Sequence, residues 1–139
     1  MPETFAFSTL LAIRITDLNY GAHVGNDTIL SLIHETRMQW LLNLGYTSEL
    51  SIEGIGLIMA DAGIEFKSEL FYGDTVIASV AAVEFSKIGF ELVYQLEKET
   101  SGTRKAVAFA RTGMICYDYE KKKIVGVPEE AKGKLAMAK

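Results

Sequence analysis

Residues 26–44, NDTILSLIHETRMQWLLNL, decide how the rest of the chain is read. Ile29, Ile33, Trp40 and Leu44 recur near helical spacing, with Leu30 and Leu41 beside them. The pattern predicts a helix from Asn26 or Asp27 to about Leu44. Either residue suits an N-cap, because its side-chain oxygen can accept from the free N–H groups of a first turn. Gly45 suits the left-handed residue that ends a helix. Leu30, Leu32 and Ile33 nearly surround one turn, so the helix is expected to be covered on several sides. A second, shorter helix is expected over 128–138, where Pro128-Glu-Glu puts a proline at the start and acids near the positive dipole end.

The segments around the long helix read as strands. Residues 5–16 alternate, with Leu11, Ile13 and Ile15 on one side and Ala12, Arg14 and Thr16 on the other. Residues 17–25 are loop-like, with Gly21, Gly25 and Asn19. Residues 55–70, 75–85, 90–98 and 104–119 form four further strands, parted by turns at Tyr72-Gly-Asp74, Ser86–Gly89 and Ser101-Gly102. Lys121–Lys123 is a solvated turn. The order is strand, long helix, four consecutive strands, short helix. Short turns make the later strands an antiparallel meander. The expected fold is α+β: a curved antiparallel sheet wrapped around one long central helix, the hotdog arrangement. Both prolines sit near the ends and nothing between them reads as a linker, so residues 1–139 are expected to form a single domain.

Composition narrows the function. With 14 Lys+Arg against 18 Asp+Glu the net charge is −4, which argues against nucleic acid as a partner. Apolar residues make up 49% and the mean hydropathy is +0.17. A domain this small and this apolar is expected to bury surface against its own copy, as a homodimer or a dimer of dimers. Cys116 is the one cysteine, so a disulfide within the chain and a multi-cysteine metal site are both excluded. It reads as a small buried hydrophobe, and its free thiol suits the cytoplasm. The longest apolar stretches are broken by Arg14, Asp61 or Glu84, short of the ~20 residues of a membrane helix, and the N-terminus does not read as a signal peptide.

One family carries several of these motifs in the same order. Ile15-Thr-Asp-Leu-Asn-Tyr-Gly-Ala-His-Val-Gly-Asn26 resembles the Asp-x-Asp-x-x-Gly-His-Val-Asn-Asn signature of hotdog-fold acyl-CoA thioesterases of the 4-hydroxybenzoyl-CoA thioesterase-like group. His34-Glu-Thr-Arg37 is similar to the family's Glu-Glu-x-Arg. Phe71-Tyr-Gly-Asp74 resembles its turn before the third strand, and Arg111–Asp118 with Val127-Pro-Glu129 its last strand and tail. The resemblance implies hydrolysis of a thioester of coenzyme A or of an acyl carrier protein. Coenzyme A then enters only as part of the substrate, and neither a separate cofactor nor a metal is expected. The departures from the signature are specific. The second acid, the family's usual base or nucleophile, is Asn19. The first acid is kept as Asp17, but the glycine before His23 is Ala22 and the first of the paired asparagines is Gly25, with Asn26 kept.

Thioester hydrolysis needs donors for the developing oxyanion, a base or nucleophile, and a cleft for the acyl chain. Free N–H groups where Gly21–Gly25 enters the helix can supply donors. Gly21, Ala22, Val24, Asn26 and Asp17 are the expected substrate-binding positions around them. Asn19, His23 and Glu35 are the catalytic candidates. Asn19 has no titrating group near neutrality; it can donate to the thioester oxygen, or simply tie down its own loop. His23 can act as base or donor, or fix the loop. Glu35 is a candidate carboxylate if it faces the cleft, and an ordinary surface residue if it does not. Asp61 competes for the base role only if buried. Arg37, Lys67, Lys87 and Arg111 are candidates for coenzyme A phosphates, and Trp40 and Met38 read as core.

Overall fold

Alternating side chains over Phe7–Ala12 make the first strand, β1. It stops short of the expected boundary, because Ile15–Asp17 turns as a 3-10 helix. That turn carries Ile15 off the sheet to 67% exposure, while Leu11 and Ile13 stay buried. The computed structural model describes residues 4–22 and 24–136.

The long helix, α1, spans Asn26–Asn43. Its N-cap is Gly25, in extended conformation, and no side chain caps the first turn, so neither Asn26 nor Asp27 takes the cap expected of it. The far end follows expectation. Gly45 has φ +100°, and the N–H groups of Gly45 and Tyr46 donate to the carbonyls of Leu42 and Leu41 at 3.0 Å each.

Strands β2 (Gly56–Phe66), β3 (Thr75–Val83), β4 (Gly89–Thr100) and β5 (Thr103–Asp118) follow, then a short β6 (Lys123–Ile124) and α2 (Glu129–Leu135). The sheet order is β1-β3-β4-β5-β2, every pairing is antiparallel, and β6 adds to β5. The lysine run thus leads into a ladder rather than staying a free turn, because Tyr117 and Asp118 extend past the start of β4 and leave an edge open. Pro128 is the N-cap of α2. One long helix against a curved antiparallel sheet is the hotdog arrangement expected.

Trp40, Ile33 and Leu41 of α1 are each 1% exposed and share the core with Val76, Val80, Leu92, Leu96 and Met114 of the sheet. Each side chain of this size stabilises the fold by roughly 1.5–3 kcal/mol. A polar network crosses the same core. Arg37 donates to Glu49 at 2.5 Å and to the Tyr94 hydroxyl at 3.1 Å, and that hydroxyl meets the Thr112 hydroxyl at 2.8 Å. Burial works against the Arg37 charge, but Tyr94 and Glu49 outweigh it and raise its pKa. The network fixes the rotation of α1 over β4 and β5, and so fixes where the first turn of the helix points. Within the chain α1 is not covered all round: Leu30 and Leu42 remain exposed.

Candidate functional site

The loop expected to carry chemistry is built on a single bridge. Leu18 and Val24 pair across it, which lifts Asn19–Ala22 out of the body. The Asn19 carbonyl accepts the Ala22 N–H at 3.1 Å, and Asn19 Oδ1 accepts the Gly21 N–H at 2.9 Å. This tight turn puts Ala22 at φ +65°, in the left-handed region, where the family signature has glycine. His23 lies outside the described residues.

The hydrogen bond from Gly21 decides which way the Asn19 amide faces. A backbone N–H can only donate, so the atom it meets is the amide oxygen, and Nδ2 is left to face Gly25. A Cβ placed on Gly25 would lie 3.5 Å from Asn19 Nδ2 and 2.9 Å from Asp27 Oδ1. The missing side chain at Gly25 therefore leaves a gap that the Asn19 amide and the Asp27 carboxylate both border. Gly25 accepts the first bond of α1, from the Ile29 N–H at 3.2 Å. Among the described residues the N–H groups of Asn26, Asp27 and Thr28 have no acceptor, so the positive end of the helix opens at this gap.

A cleft of ≈ 580 Å³ starts there. Its floor is apolar, from buried Val24, Ile29 and Leu70, with half-exposed Phe66 beside them. Its rim is polar, from Asn19, Asp27, Lys67 and Glu69. The Val24 N–H donates to the Leu70 carbonyl at 2.9 Å, tying the loop to the far wall. That bond also removes Val24 from the possible oxyanion donors; its contribution to the cleft is its side chain. A greasy floor with polar groups gathered at one end can hold an acyl group and direct its carbonyl to the donors.

The expected residues divide between two places. Asn19, Val24 and Asn26 line this cleft, and Gly21 and Ala22 shape the loop above it. Asp17 and Glu35 line a separate groove of ≈ 480 Å³ beside β1. Asp17 is buried, accepting from the Arg14 N–H at 2.8 Å and pairing with its guanidinium at 3.3 Å. Glu35 accepts from Gln39 at 2.7 Å. Neither reaches the Asn19 cleft within the chain. Asp61 is exposed and paired with Arg111 at 2.8 Å on the open face of the sheet.

Of the four cations considered for phosphates, Arg37 is 5% exposed and committed to Glu49 and Tyr94, and Arg111 is paired with Asp61. Lys87 lies outside the cleft lining, and Lys67 alone of the four lines it. Cys116 is buried, and burial pushes its thiol up to about 11, which keeps it protonated and unreactive. Among the described residues no group of His, Cys, Asp and Glu could hold a metal ion. None of their helices is long and apolar enough to cross a membrane.

Sequence reasoning passed over Asp27 and Glu69. Asp27 was absorbed by the N-cap reading. Glu69 falls inside the strand expected over 55–70, whereas β2 ends at Phe66, and nothing in its spacing points to the cleft.

The model of the thioesterase-like superfamily matches residues 13–135. No curated protein matches the sequence. Among solved structures, a mutant of 4-hydroxybenzoyl-CoA thioesterase complexed with 4-hydroxybenzoyl-CoA superposes with a TM-score of 0.84 at 15% identity, covering 94% of this chain and 98% of that one. A 1,4-dihydroxy-2-naphthoyl-CoA thioesterase from Synechocystis gives a TM-score of 0.81 at 20% identity, covering 95% of each chain. A gentisyl-coenzyme A thioesterase gives 0.80 at 19% identity, covering 94% of this chain and all of that one, 100%.

Proposed function

Because the chain belongs to the thioesterase-like superfamily, we propose that it is an acyl-CoA thioesterase, hydrolysing a thioester of coenzyme A or of an acyl carrier protein in the Asn19 cleft. The observation that carries this is the junction of loop and helix. The Asn19 amide nitrogen and the open N–H groups of Asn26–Thr28 converge at the polar end of an apolar-floored cleft. One such donor contributes roughly 10²–10³ in rate when it meets a developing oxyanion. Asn19 is the donor, its other amide atom being held by Gly21.

Two chains are expected to complete the site. Among the described residues β2 is the last strand of the sheet and pairs only with β5, which leaves its outer edge open. Met59 on that edge strand is 46% exposed and Leu30 on the neighbouring face of α1 is 41% exposed. Phe66 ends β2 at the cleft, so a second copy along this edge would sit beside the substrate. An obligate homodimer, or a dimer of dimers, with an interface beyond ~1,000 Å² follows from this reading. Light scattering that finds a stable 15 kDa monomer at micromolar concentration refutes it. The buried, unpaired Cys116 agrees with work in the cytoplasm.

The functional test is thiol release from a panel of thioesters. Aromatic acyl-CoAs belong in it because three of the similar structures are named for 4-hydroxybenzoyl, dihydroxynaphthoyl and gentisyl thioesters. Straight-chain acyl-CoAs and an acyl carrier protein thioester complete it. A second reading, a module that binds acyl-CoA without cleaving it, is favoured by one observation: the position of the family's usual carboxylate is an amide, Asn19. Saturable binding with no thiol released from any substrate would establish that reading instead.

A further inference from the structure

The cleft lacks the family's usual carboxylate, and Glu35, the replacement expected from sequence, lies in another groove. A different acid stands in the gap. Asp27, in the first turn of α1, would have its Oδ1 2.9 Å from a side-chain carbon at Gly25, and Asn19 Nδ2 borders the same point at 3.5 Å. The carboxylate caps nothing, since no side chain caps α1. Among the described residues it has no ion-pair or hydrogen-bond partner; only the Asp27 carbonyl is used, by Ser31 at 3.4 Å. It lines the cleft on the side of the oxyanion donors. Glu69 also lines the cleft, but on the far wall, where Lys98 holds its carbonyl at 2.7 Å.

We propose that Asp27 is the general base of this cleft, activating the water that attacks a thioester carbonyl held by the Asn19 amide. The inference rests on the thioesterase reading above. The carboxylate takes a proton from water as the water oxygen bonds to the carbonyl carbon. The carbonyl π pair moves onto oxygen, where Asn19 Nδ2 donates to it. Collapse of the tetrahedral species re-forms the carbonyl and breaks the carbon–sulfur bond. The thiolate leaves and takes the proton from Asp27. One thioester and one water give one carboxylic acid and one thiol, and Asp27 returns to its carboxylate.

The test compares four variants of the full chain on the best substrate of the panel. Asp27→Asn is expected to lower kcat by at least about 10²-fold, the scale of a placed base. It should leave the Kd of a non-hydrolysable thioether analogue of that substrate within about twofold, because the amide fills the same space. Asp27→Glu should recover part of the loss, and Glu35→Gln and Asp61→Asn, both at acids outside the cleft, should stay within about threefold of wild type. A kcat for Asp27→Asn within threefold of wild type, at an unchanged melting temperature, overturns the role of Asp27 and leaves the hydrolase standing. A wild-type protein that binds acyl-CoA and releases no thiol overturns the hydrolase reading, and Asp27 with it.

Discussion

Replacing Asn19 by Asp restores the carboxylate of the family signature, and the structure says that turnover should fall. In the wild type, Oδ1 accepts from the Gly21 N–H at 2.9 Å and Nδ2 faces the gap at Gly25. The substitution keeps the first contact and exchanges the donor for an anionic oxygen. Loss of one oxyanion donor costs about 2.7–4 kcal/mol of transition-state stabilisation, or roughly 10²–10³ in kcat. The new charge also enters a gap that the Asp27 carboxylate borders. Two carboxylates a few ångströms apart repel by roughly 2–4 kcal/mol at an effective dielectric of about 20. The open N–H groups of Asn26–Thr28 offset part of this, by about 0.3–1 kcal/mol. The net expectation is a fall of at least about 10²-fold in kcat at neutral pH. Part of the deficit relative to wild type should return in the pH range where the two carboxyls share one proton, so that the acid at position 19 can donate while Asp27 stays ionised. Steady-state thiol release across a pH series, with the analogue Kd measured alongside, separates lost chemistry from lost binding. An Asn19→Asp variant faster than wild type on every thioester would refute the donor role and mark the protein as one that has merely lost its base.

Two further expectations concern stability. Ala22 sits at φ +65°, so Ala22→Gly should relieve roughly 1 kcal/mol of left-handed strain. That corresponds to a melting temperature higher by about 3 °C, and a variant that melts at or below wild type would show the turn is not held there in solution. Tyr94→Phe removes the hydroxyl that bonds Arg37 at 3.1 Å and Thr112 at 2.8 Å in a fully buried site. Leaving those two groups without their shared partner should cost about 2–3 kcal/mol in urea unfolding, and a loss under about 0.5 kcal/mol would show that the network relaxes around the gap.

The fold was legible because hydrophobic period and turn chemistry agree along most of the chain. The helical spacing of Ile29, Ile33 and Trp40 and the Gly45 stop gave α1 to within a residue at its C-terminal end. Ser101-Gly102, both at positive φ, is the hairpin turn its composition promised. The failures lie where local preference competes with tertiary contacts. Ile15 fits a strand by alternation, but Asp17 pulls back the Arg14 N–H at 2.8 Å and closes a 3-10 turn there. β6 was missed because two residues of ladder leave no periodic signal. Arg37 was read as a cation for phosphates. The sequence has no local sign that Glu49 and Tyr94 would meet it in the core.

The site was half legible, and for the same reason. Asn19 and the entry to the helix are adjacent in sequence, so a motif can point to them. What surrounds them cannot be read that way, since Phe66–Leu70 arrives from the end of β2. The reading of Asp27 turned on one residue beside it. Had Asn26 or Asp27 been the N-cap, its side-chain oxygen would have been spent on the first turn of α1. With Gly25 as cap, neither side chain is used on the first turn, and among the described residues the Asp27 carboxylate has no partner. The same glycine lacks the side chain that would meet that carboxylate at 2.9 Å. Two of the departures from the family signature, Asn for Asp at position 19 and Gly for Asn at position 25, thus have one geometric consequence. The first removes a carboxylate from the loop and leaves a donor. The second opens the space in which an acid from the helix can face that donor. On the proposed mechanism the division of labour is kept, an acid for the water and an amide for the oxyanion, while the acid has moved from the loop to the first turn of the helix.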